Sequence, residues 1–209
     1  IKGSSFTREI NQSVNMSDNT FKLIFACLWI IYILIRRPHV NAYNHSRNKR
    51  GKTTASELVV FVSLTLGMLI LPLIWVMVPS NLYDLNLPVW LRLLGVVLAI
   101  FSLLYFYKIH QCLGQNWSPT LEINPTHKLI TKGPYKRIRH PMYLQILLWV
   151  IAQALIISNL WASFSGLISW IVLFLIRVPK EEQMLIAHFG QEYKEYMKET
   201  NAIIPKMMK

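Results

Sequence analysis

Residues 58–78 form an apolar run without a single charged side chain, and no other feature limits the possible folds of this chain as strongly. A transmembrane helix needs about 20 predominantly apolar residues, which this run supplies. Further apolar runs lie at 20–35, 87–107, 142–157 and 160–176. The chain is 53% hydrophobic and only 15% charged, whereas soluble domains are about 25% charged. This pattern predicts an all-α integral membrane protein with about five transmembrane helices.

The last two apolar runs are predicted to fold back on one another as a transmembrane hairpin over 142–176. A single helix of that length would measure about 52 Å, but the hydrocarbon core of a bilayer is only about 30 Å thick. Ser158 and Asn159 lie near the middle of this stretch and provide the expected turn.

Prolines and tryptophans suggest where the other helices bend and end. Pro72 should kink the second helix, which membranes tolerate when neighbouring groups satisfy the freed carbonyl. The Arg36-Arg37-Pro38 sequence should end the first helix. Four tryptophans near the predicted span ends indicate an aromatic belt at the membrane–water interface: Trp75, Trp90, Trp117 and Trp161.

The basic residues predict how the chain is oriented in the membrane. Most of the 22 Lys and Arg residues lie in 36–56, in 108–141 and after 176, whereas 79–86 and the turn at 158–159 carry none. With five spans, the basic segments share one side, which the positive-inside rule assigns to the cytoplasm. We therefore expect the N-terminus outside and the C-terminus in the cytoplasm. The net charge of +12 is then explained without a nucleic-acid partner.

The chain is expected to divide into three regions. Residues 1–19 are polar and lack the apolar stretch of a signal peptide. Met16 is a candidate natural start, which would make residues 1–15 foreign to the natural protein. The regions are a polar N-terminal extension (1–19), three transmembrane helices with the basic loop 36–56 (20–107), and a catalytic region with the hairpin and a cytoplasmic tail (108–209).

Because 142–176 folds as a hairpin, the segments that flank it should emerge side by side at one membrane face. His140-Pro141 is either an ordinary helix start at the interface, or a helix N-terminus whose free N–H groups hold a carboxylate together with Arg139. By itself, Arg177 is typical of an anchor that snorkels at the end of a span. Glu181 and Glu182 are typical of a solvated pair at a helix N-terminus.

The C-terminal tail carries apolar and aromatic side chains at roughly helical spacing, and Gly190 is expected to interrupt the helix. These residues are Leu185, Phe189, Tyr193, Tyr196 and Met197. They predict an amphipathic helix that lies on the membrane or closes over the preceding segments.

The sequence lacks several motifs with which soluble proteins bind cofactors. The glycines never form GxG, so the chain has neither a dinucleotide fingerprint nor a phosphate loop. HExxH and GxSxG are absent, and the histidines show no metal-ligand spacing with acidic or cysteine partners. We therefore expect no metal.

Two segments resemble a known family. The sequence HKLITKGPYKRIRHPMY, an apolar hairpin, RVPKEEQMLIAHFGQEYKEYMKET and a final Ile-Pro together resemble the isoprenylcysteine carboxyl methyltransferase family, in particular its short prokaryotic members. The resemblance covers roughly 115–205. It implies a membrane enzyme that binds S-adenosylmethionine at the cytoplasmic ends of the last two spans and methylates a lipophilic, prenylated acceptor from the bilayer.

The resemblance also implies roles for individual residues. Arg177 is the position associated with the methyl acceptor, and Arg139 is a second candidate for a clamp on its carboxylate. Glu122 is added because it is the only carboxylate between spans three and four. The expected cofactor-binding residues are Glu122, His127, Lys128, Leu129, Ile130, Tyr135, His140, Pro141, Met142, Tyr143 and Glu181.

The sequence departs from the family pattern near the hairpin and at its end. Gln145 stands where the family often has Gly, and Thr200-Asn201-Ala202 replaces its closing basic-Gly signature. Because of these departures, methyl acceptors other than an isoprenylcysteine carboxylate stay among the alternatives, as do other functions. A phospholipid N-methyltransferase would use Arg177 to hold a phosphate, while a neutral amine attacks. An NADPH-dependent sterol or enone reductase shares an RHPxY-like element. A membrane scaffold without enzymatic activity is the fourth alternative.

Overall fold

The computed structural model describes residues 3–45, 54–78, 83–122 and 128–206, with the backbone alone at 3–17 and at Gln115. Within these ranges the chain contains helices and no strand. The helices are α1 (Gly3–His45), α2 (Ala55–Met77), α3 (Val89–Leu113), α4 (Pro141–Ile157), α5 (Leu160–Phe189) and α6 (Gln191–Glu199). Short 3-10 turns lie at Gly114–Asn116 and Gly133–Lys136.

Each of the five predicted apolar runs coincides with a helix, except that Val78, Leu87 and Pro88 lie just beyond the helix ends. The helical stretches Asp18–His45, Ala55–Met77, Val89–Leu113 and Leu160–Phe189 are each long and apolar enough to cross a membrane. Pro141–Ile157 is apolar but has only 17 residues, at the lower limit of about 17–25 residues for a span. The predicted all-α, multi-pass membrane architecture is confirmed.

The predicted end of the first helix is wrong, because α1 continues through Pro38 to His45. A proline removes one hydrogen bond from a helix, and contacts beyond it compensate here. The ring of His39 lies 4.5 Å from that of His110. One turn later, Tyr43 Oη and Thr120 Oγ1 are 2.9 Å apart and share a hydrogen bond. The last turns of α1 are therefore held by tertiary contacts.

The expected helix start at Glu181 and Glu182 is also wrong. Helix α5 runs unbroken through Pro179 to Phe189, so both carboxylates lie inside a helix that extends past the apolar stretch. Val178 is buried against Tyr143 and Leu173, and this packing keeps the chain helical on both sides of the proline.

Helices α4 and α5 are joined by the turn at Ser158 and Asn159, where the sequence analysis expects it. Ser158 ends α4 in the left-handed region with φ 56°. Asn159 then caps α5, since its side-chain oxygen accepts from the Ala162 N–H at 3.3 Å. The two ends of this hairpin therefore lie at the same face of the molecule.

Pro72 follows a π-helical segment, Thr65–Ile70, inside α2. A π-helical bond to the Gly67 carbonyl would need the N–H that Pro72 lacks. Donors from the hairpin serve this carbonyl instead: Gln153 Nε2 and Ser165 Oγ both lie 3.1 Å from Gly67 O. The expectation that neighbouring groups satisfy the freed carbonyl holds, and the same bonds tie α2 to α4 and α5.

The aromatic-belt prediction holds for only part of the tryptophans. Trp90 and Trp161 are 67% and 62% exposed near helix ends, as a belt requires. Trp75 and Trp117 are buried. Trp75 packs edge-on against Phe25 in the core between helices, and Trp117 lies beside the cavity described below. Sequence position near a span end therefore does not separate lipid-facing from inward-facing tryptophans.

Candidate active site

A cavity of about 210 Å³ opens at the end of the α4–α5 hairpin that lies away from the Ser158 turn. The walls of the cavity come from α1, from α3 and the segment after it, and from the beginning of α4 and the last part of α5. Helix α6 completes these walls. Polar groups from distant parts of the sequence therefore meet at one edge of an otherwise apolar bundle.

Most of the predicted site residues line this cavity: Glu122, Lys128, Leu129, Ile130, Tyr135, Arg139, Met142, Tyr143, Arg177 and Glu181. His140 and Pro141 are buried behind its wall at the first turn of α4. The predicted cofactor-binding residue His127 lies outside the described residues.

Helix α5 brings a cation and an anion to the cavity. Arg177 and Glu181 are four residues apart, so their side chains share a helix face. The hydroxyl of Tyr143 donates to Glu181 Oε2 at 2.5 Å. Arg177 Nη2 donates to the Pro119 carbonyl at 2.8 Å, and within the described part of the chain its other guanidinium nitrogens make no hydrogen bond. The cavity can therefore bind a positively charged group and a negatively charged group one helical turn apart.

Glu182 joins three segments behind the cavity. Its Oε1 lies 3.0 Å from Arg139 Nε and 3.1 Å from His140 Nε2. Arg139 also donates to the carbonyls of Met197, at 3.3 Å, and Thr200. These contacts use Nε and Nη1 of Arg139 and fix the start of α4 against α5 and the tail. Arg139 also lines the cavity, and its role as a clamp on the acceptor stays a prediction.

The segment after α3 is held by carboxylates and hydroxyls from the first two helices. Glu57 accepts the Leu121 N–H at 3.0 Å. Tyr43 donates to Glu122 Oε2, also at 3.0 Å. These bonds fix Glu122 in the lining of the cavity.

Helix α1 adds residues to the cavity that the sequence analysis missed. Tyr32 and Arg36 lie four residues apart and both line it. The guanidinium carbon of Arg36 lies 5.6 Å from the ring centroid of Trp117, close enough for a cation–π contact. The sequence offers no signal for this role, because Arg36 resembles the other basic residues of the loop.

The tail helix α6 closes over the cavity, which resolves the two alternatives for the amphipathic tail. Tyr193 and Tyr196 are buried and line the cavity. Tyr196 donates to the Tyr135 carbonyl at 2.6 Å. Burial raises the pKa of Tyr196 to about 12 and that of Tyr135 well above its usual range. These phenols therefore stay neutral at physiological pH.

The backbone after α6 reinforces this closure. The N–H groups of Arg139 and His140 donate to the carbonyls of Asn201 and Ala202, both at 2.9 Å. Among the described residues, no group of three or more His, Cys, Asp or Glu side chains is arranged to hold a metal ion.

These features define the class of the protein: a multi-pass helical membrane protein with a polar cavity at one end of a helical hairpin. Residues 93–187, which carry α3, the hairpin and Arg177 to Glu182, match the model of the isoprenylcysteine carboxyl methyltransferase (ICMT) family. The predicted resemblance to this family is confirmed over these residues.

Curated proteins from plants and animals are similar to about half or more of the chain. A probable protein-S-isoprenylcysteine O-methyltransferase from Oryza sativa subsp. indica is 33% identical over 95 residues, which are 44% of this chain and 49% of the rice protein. Protein-S-isoprenylcysteine O-methyltransferase B of Arabidopsis thaliana is 26% identical, with 74% of this chain and 80% of that protein covered. The Homo sapiens enzyme is 30% identical, with 56% and 42% covered. The match thus spans about half the length of the rice relative.

A solved structure shares the fold. The structure of the eukaryotic intramembrane Ras methyltransferase ICMT superimposes with a TM-score of 0.56 at 22% sequence identity. The superposition covers 87% of this chain and 66% of that one. The helical arrangement therefore agrees over nearly the whole chain, beyond the region of clear sequence similarity.

Proposed function

We propose that this chain is an S-adenosylmethionine-dependent methyltransferase that esterifies the carboxylate of an isoprenylcysteine-like, lipophilic acceptor. One observation carries the proposal: Arg177 and Glu181 lie one turn apart on α5, in one cavity at the end of the hairpin. A methyl donor with a cationic ammonium and an anionic acceptor need this pair of opposite charges side by side. The match of residues 93–187 to the model of the isoprenylcysteine carboxyl methyltransferase family supports the assignment.

The residues of the cavity fit the proposed cofactor. Glu181, fixed by the Tyr143 hydroxyl, offers a carboxylate oxygen to an ammonium or a ribose hydroxyl. Glu122 offers a second carboxylate in the lining of the same cavity. Met142, Leu129 and Ile130 supply apolar surface for a purine ring. When bound, S-adenosylmethionine supplies a methyl group that is already electrophilic because it is attached to a positively charged sulfur.

Arg177 is proposed to orient the acceptor. A carboxylate is ionised at neutral pH, so it attacks through an oxygen lone pair and needs no residue to remove a proton. A guanidinium binds two carboxylate oxygens in a fixed plane, which fixes the direction of attack. Alignment of this kind is the main contribution required from the protein. Closure by α6 excludes water and strengthens these ionic contacts.

The proposed orientation puts the N-terminus outside and the cavity at the cytoplasmic face. Support comes from the cations around the cavity, because the positive-inside rule places such clusters in the cytoplasm. They are Arg36, Lys128, Arg139 and Arg177. The cofactor then enters from the cytoplasm, and the lipophilic part of the acceptor stays in the bilayer.

Binding of S-adenosylhomocysteine tests the cofactor assignment. We expect purified protein in detergent to bind this product in calorimetry and not to bind NADPH. Glu181→Gln should raise the dissociation constant by about tenfold, because a charge-assisted hydrogen bond is lost. Glu195→Gln is the matched control, since Glu195 is exposed on α6 outside the cavity. Binding of NADPH alone would favour a reductase, and an unchanged affinity in Glu181→Gln would remove that residue from the site.

Transfer of a labelled methyl group tests the acceptor. We expect label in a base-labile ester of an S-farnesyl- or S-geranylgeranyl-cysteine analogue, and none in phosphatidylethanolamine. Base lability distinguishes a carboxyl ester from an N-methyl group. Label in phosphatidylethanolamine alone would reject carboxyl methylation and assign Arg177 to a phosphate.

A further inference from the structure

Tyr193 lies in the wall of the cavity, and its buried hydroxyl has no hydrogen-bond partner among the described residues. The residue is 1% exposed and lines the cavity from α6. Among the described residues, no group hydrogen-bonds to its Oη. The other tyrosines of this wall differ, since Tyr143 donates to Glu181 and Tyr196 donates to the Tyr135 carbonyl.

An unpaired buried hydroxyl weakens the folded state, because it loses its hydrogen bonds to water and gains none in return. Most buried polar side chains therefore have a partner. An exception in the wall of a binding cavity indicates that the ligand supplies that partner. The aromatic ring of Tyr193 packs beside Tyr196, with centroids 5.9 Å apart, which keeps its hydroxyl in position.

The surroundings of Tyr193 determine which ligand group it can bind. Burial raises its pKa far above the usual range, and the carboxylates of Glu182 and Glu181 add to this effect. The phenol therefore stays protonated and donates a hydrogen bond. Glu182 is already paired with Arg139 and His140, whereas Glu181 faces the cavity. A zwitterion matches this pattern, with its ammonium near Glu181 and its carboxylate at the Tyr193 donor.

We propose that the Tyr193 hydroxyl binds the amino-acid end of the methyl donor by donating a hydrogen bond to its carboxylate. This inference rests on the proposed function. It gives α6 a direct role in cofactor binding, in addition to covering the cavity. Cofactor binding and docking of the tail then stabilise each other, because the ligand satisfies a group that the closed tail buries.

The substitution Tyr193→Phe tests the proposal, because it should act in opposite directions on the empty and the bound protein. Without ligand, the variant loses an unsatisfied hydroxyl, so its Tm should equal or exceed that of the wild type. With S-adenosylhomocysteine, it loses a hydrogen bond, so the dissociation constant should rise by about tenfold. The ligand-induced rise in Tm should shrink accordingly.

Two controls separate this role from a structural one. Tyr196→Phe removes a hydroxyl that is bonded within the protein, so it should lower the Tm of the empty protein. 5′-Methylthioadenosine lacks the amino-acid end of the cofactor, so the wild type and Tyr193→Phe should bind it with equal affinity.

The outcomes also separate this inference from the proposed function. Equal affinity of the wild type and Tyr193→Phe for S-adenosylhomocysteine would overturn the role of Tyr193 and leave the proposed function intact. A parallel loss of 5′-methylthioadenosine binding would also overturn it, since the contact would then lie elsewhere on the ligand. Failure of the wild type to bind S-adenosylhomocysteine would reject the proposed function and this inference together.

Discussion

Arg177→Ala should lower kcat/KM for a prenylcysteine acceptor by at least about 30-fold, because removing one partner of a desolvated charge pair costs about 2–5 kcal/mol. The affinity for S-adenosylhomocysteine should stay within about twofold, because the proposed cofactor contacts of Glu181, Tyr143 and Tyr193 remain. Arg177 also donates to the Pro119 carbonyl, so a structural effect must be separated from a direct one. Parallel measurement of acceptor kinetics and cofactor affinity separates the two.

Two variants provide the controls for Arg177. Arg177→Lys keeps the positive charge but loses the planar guanidinium that binds two carboxylate oxygens. It should therefore be more active than Arg177→Ala but less active than the wild type. Lys180→Ala removes an exposed cation of the same helix that lies outside the cavity, and it should behave like the wild type. Equal losses of acceptor turnover and cofactor affinity in Arg177→Ala would indicate collapse of the site. Full activity of Arg177→Ala would show that Arg177 is not part of the acceptor site.

Gly67→Ala should disrupt the packing of α2 against the hairpin. An added Cβ would lie well inside van der Waals contact of Ser169 Oγ and of the Ser165 carbonyl oxygen. The serine side chain can rotate away, but the helix backbone at Ser165 cannot. The helices would have to separate, which would also weaken the bonds that Gln153 and Ser165 donate to the Gly67 carbonyl. Small residues commonly permit such close helix contacts in membranes.

Thermal unfolding in detergent measures this effect. With an overpacking cost of about 1–3 kcal/mol, the Tm should fall by about 2–12 °C, or the protein should fail to accumulate in monodisperse form. Leu66→Val is the matched control, because Leu66 lies in the same π-helical segment and is 49% exposed. Adding Ser169→Gly to Gly67→Ala should restore little stability, since the backbone contact remains. A wild-type Tm for Gly67→Ala would contradict the close approach of α2 and α5.

The sequence predicts the membrane architecture well because burial in lipid depends on long apolar runs. Residues 58–78 and the turn at Ser158 and Asn159 follow directly from length and hydropathy. The convergence of Arg139 and Arg177 follows in turn, because a hairpin brings its two ends together. These expectations depend only on local composition and on the thickness of the bilayer.

Other features depend on contacts between distant segments, and these contacts cannot be predicted from a single sequence. Pro38 and Pro179 look like helix ends, but tertiary packing keeps α1 and α5 helical past them. Arg36 looks like a topological charge, yet it lines the cavity. The bonds from Arg139 to Glu182 and to the carbonyls of Met197 and Thr200 likewise appear only in the folded structure.

The central claim is that donor and acceptor meet in one pocket formed by the ends of the hairpin and closed by the tail. A structure of the protein bound to S-adenosylhomocysteine tests it most directly. The account predicts ligand density between α4, α5 and α6, with the ligand's ammonium against Glu181 and its sulfur facing Arg177. Density at any other face of the bundle would contradict it.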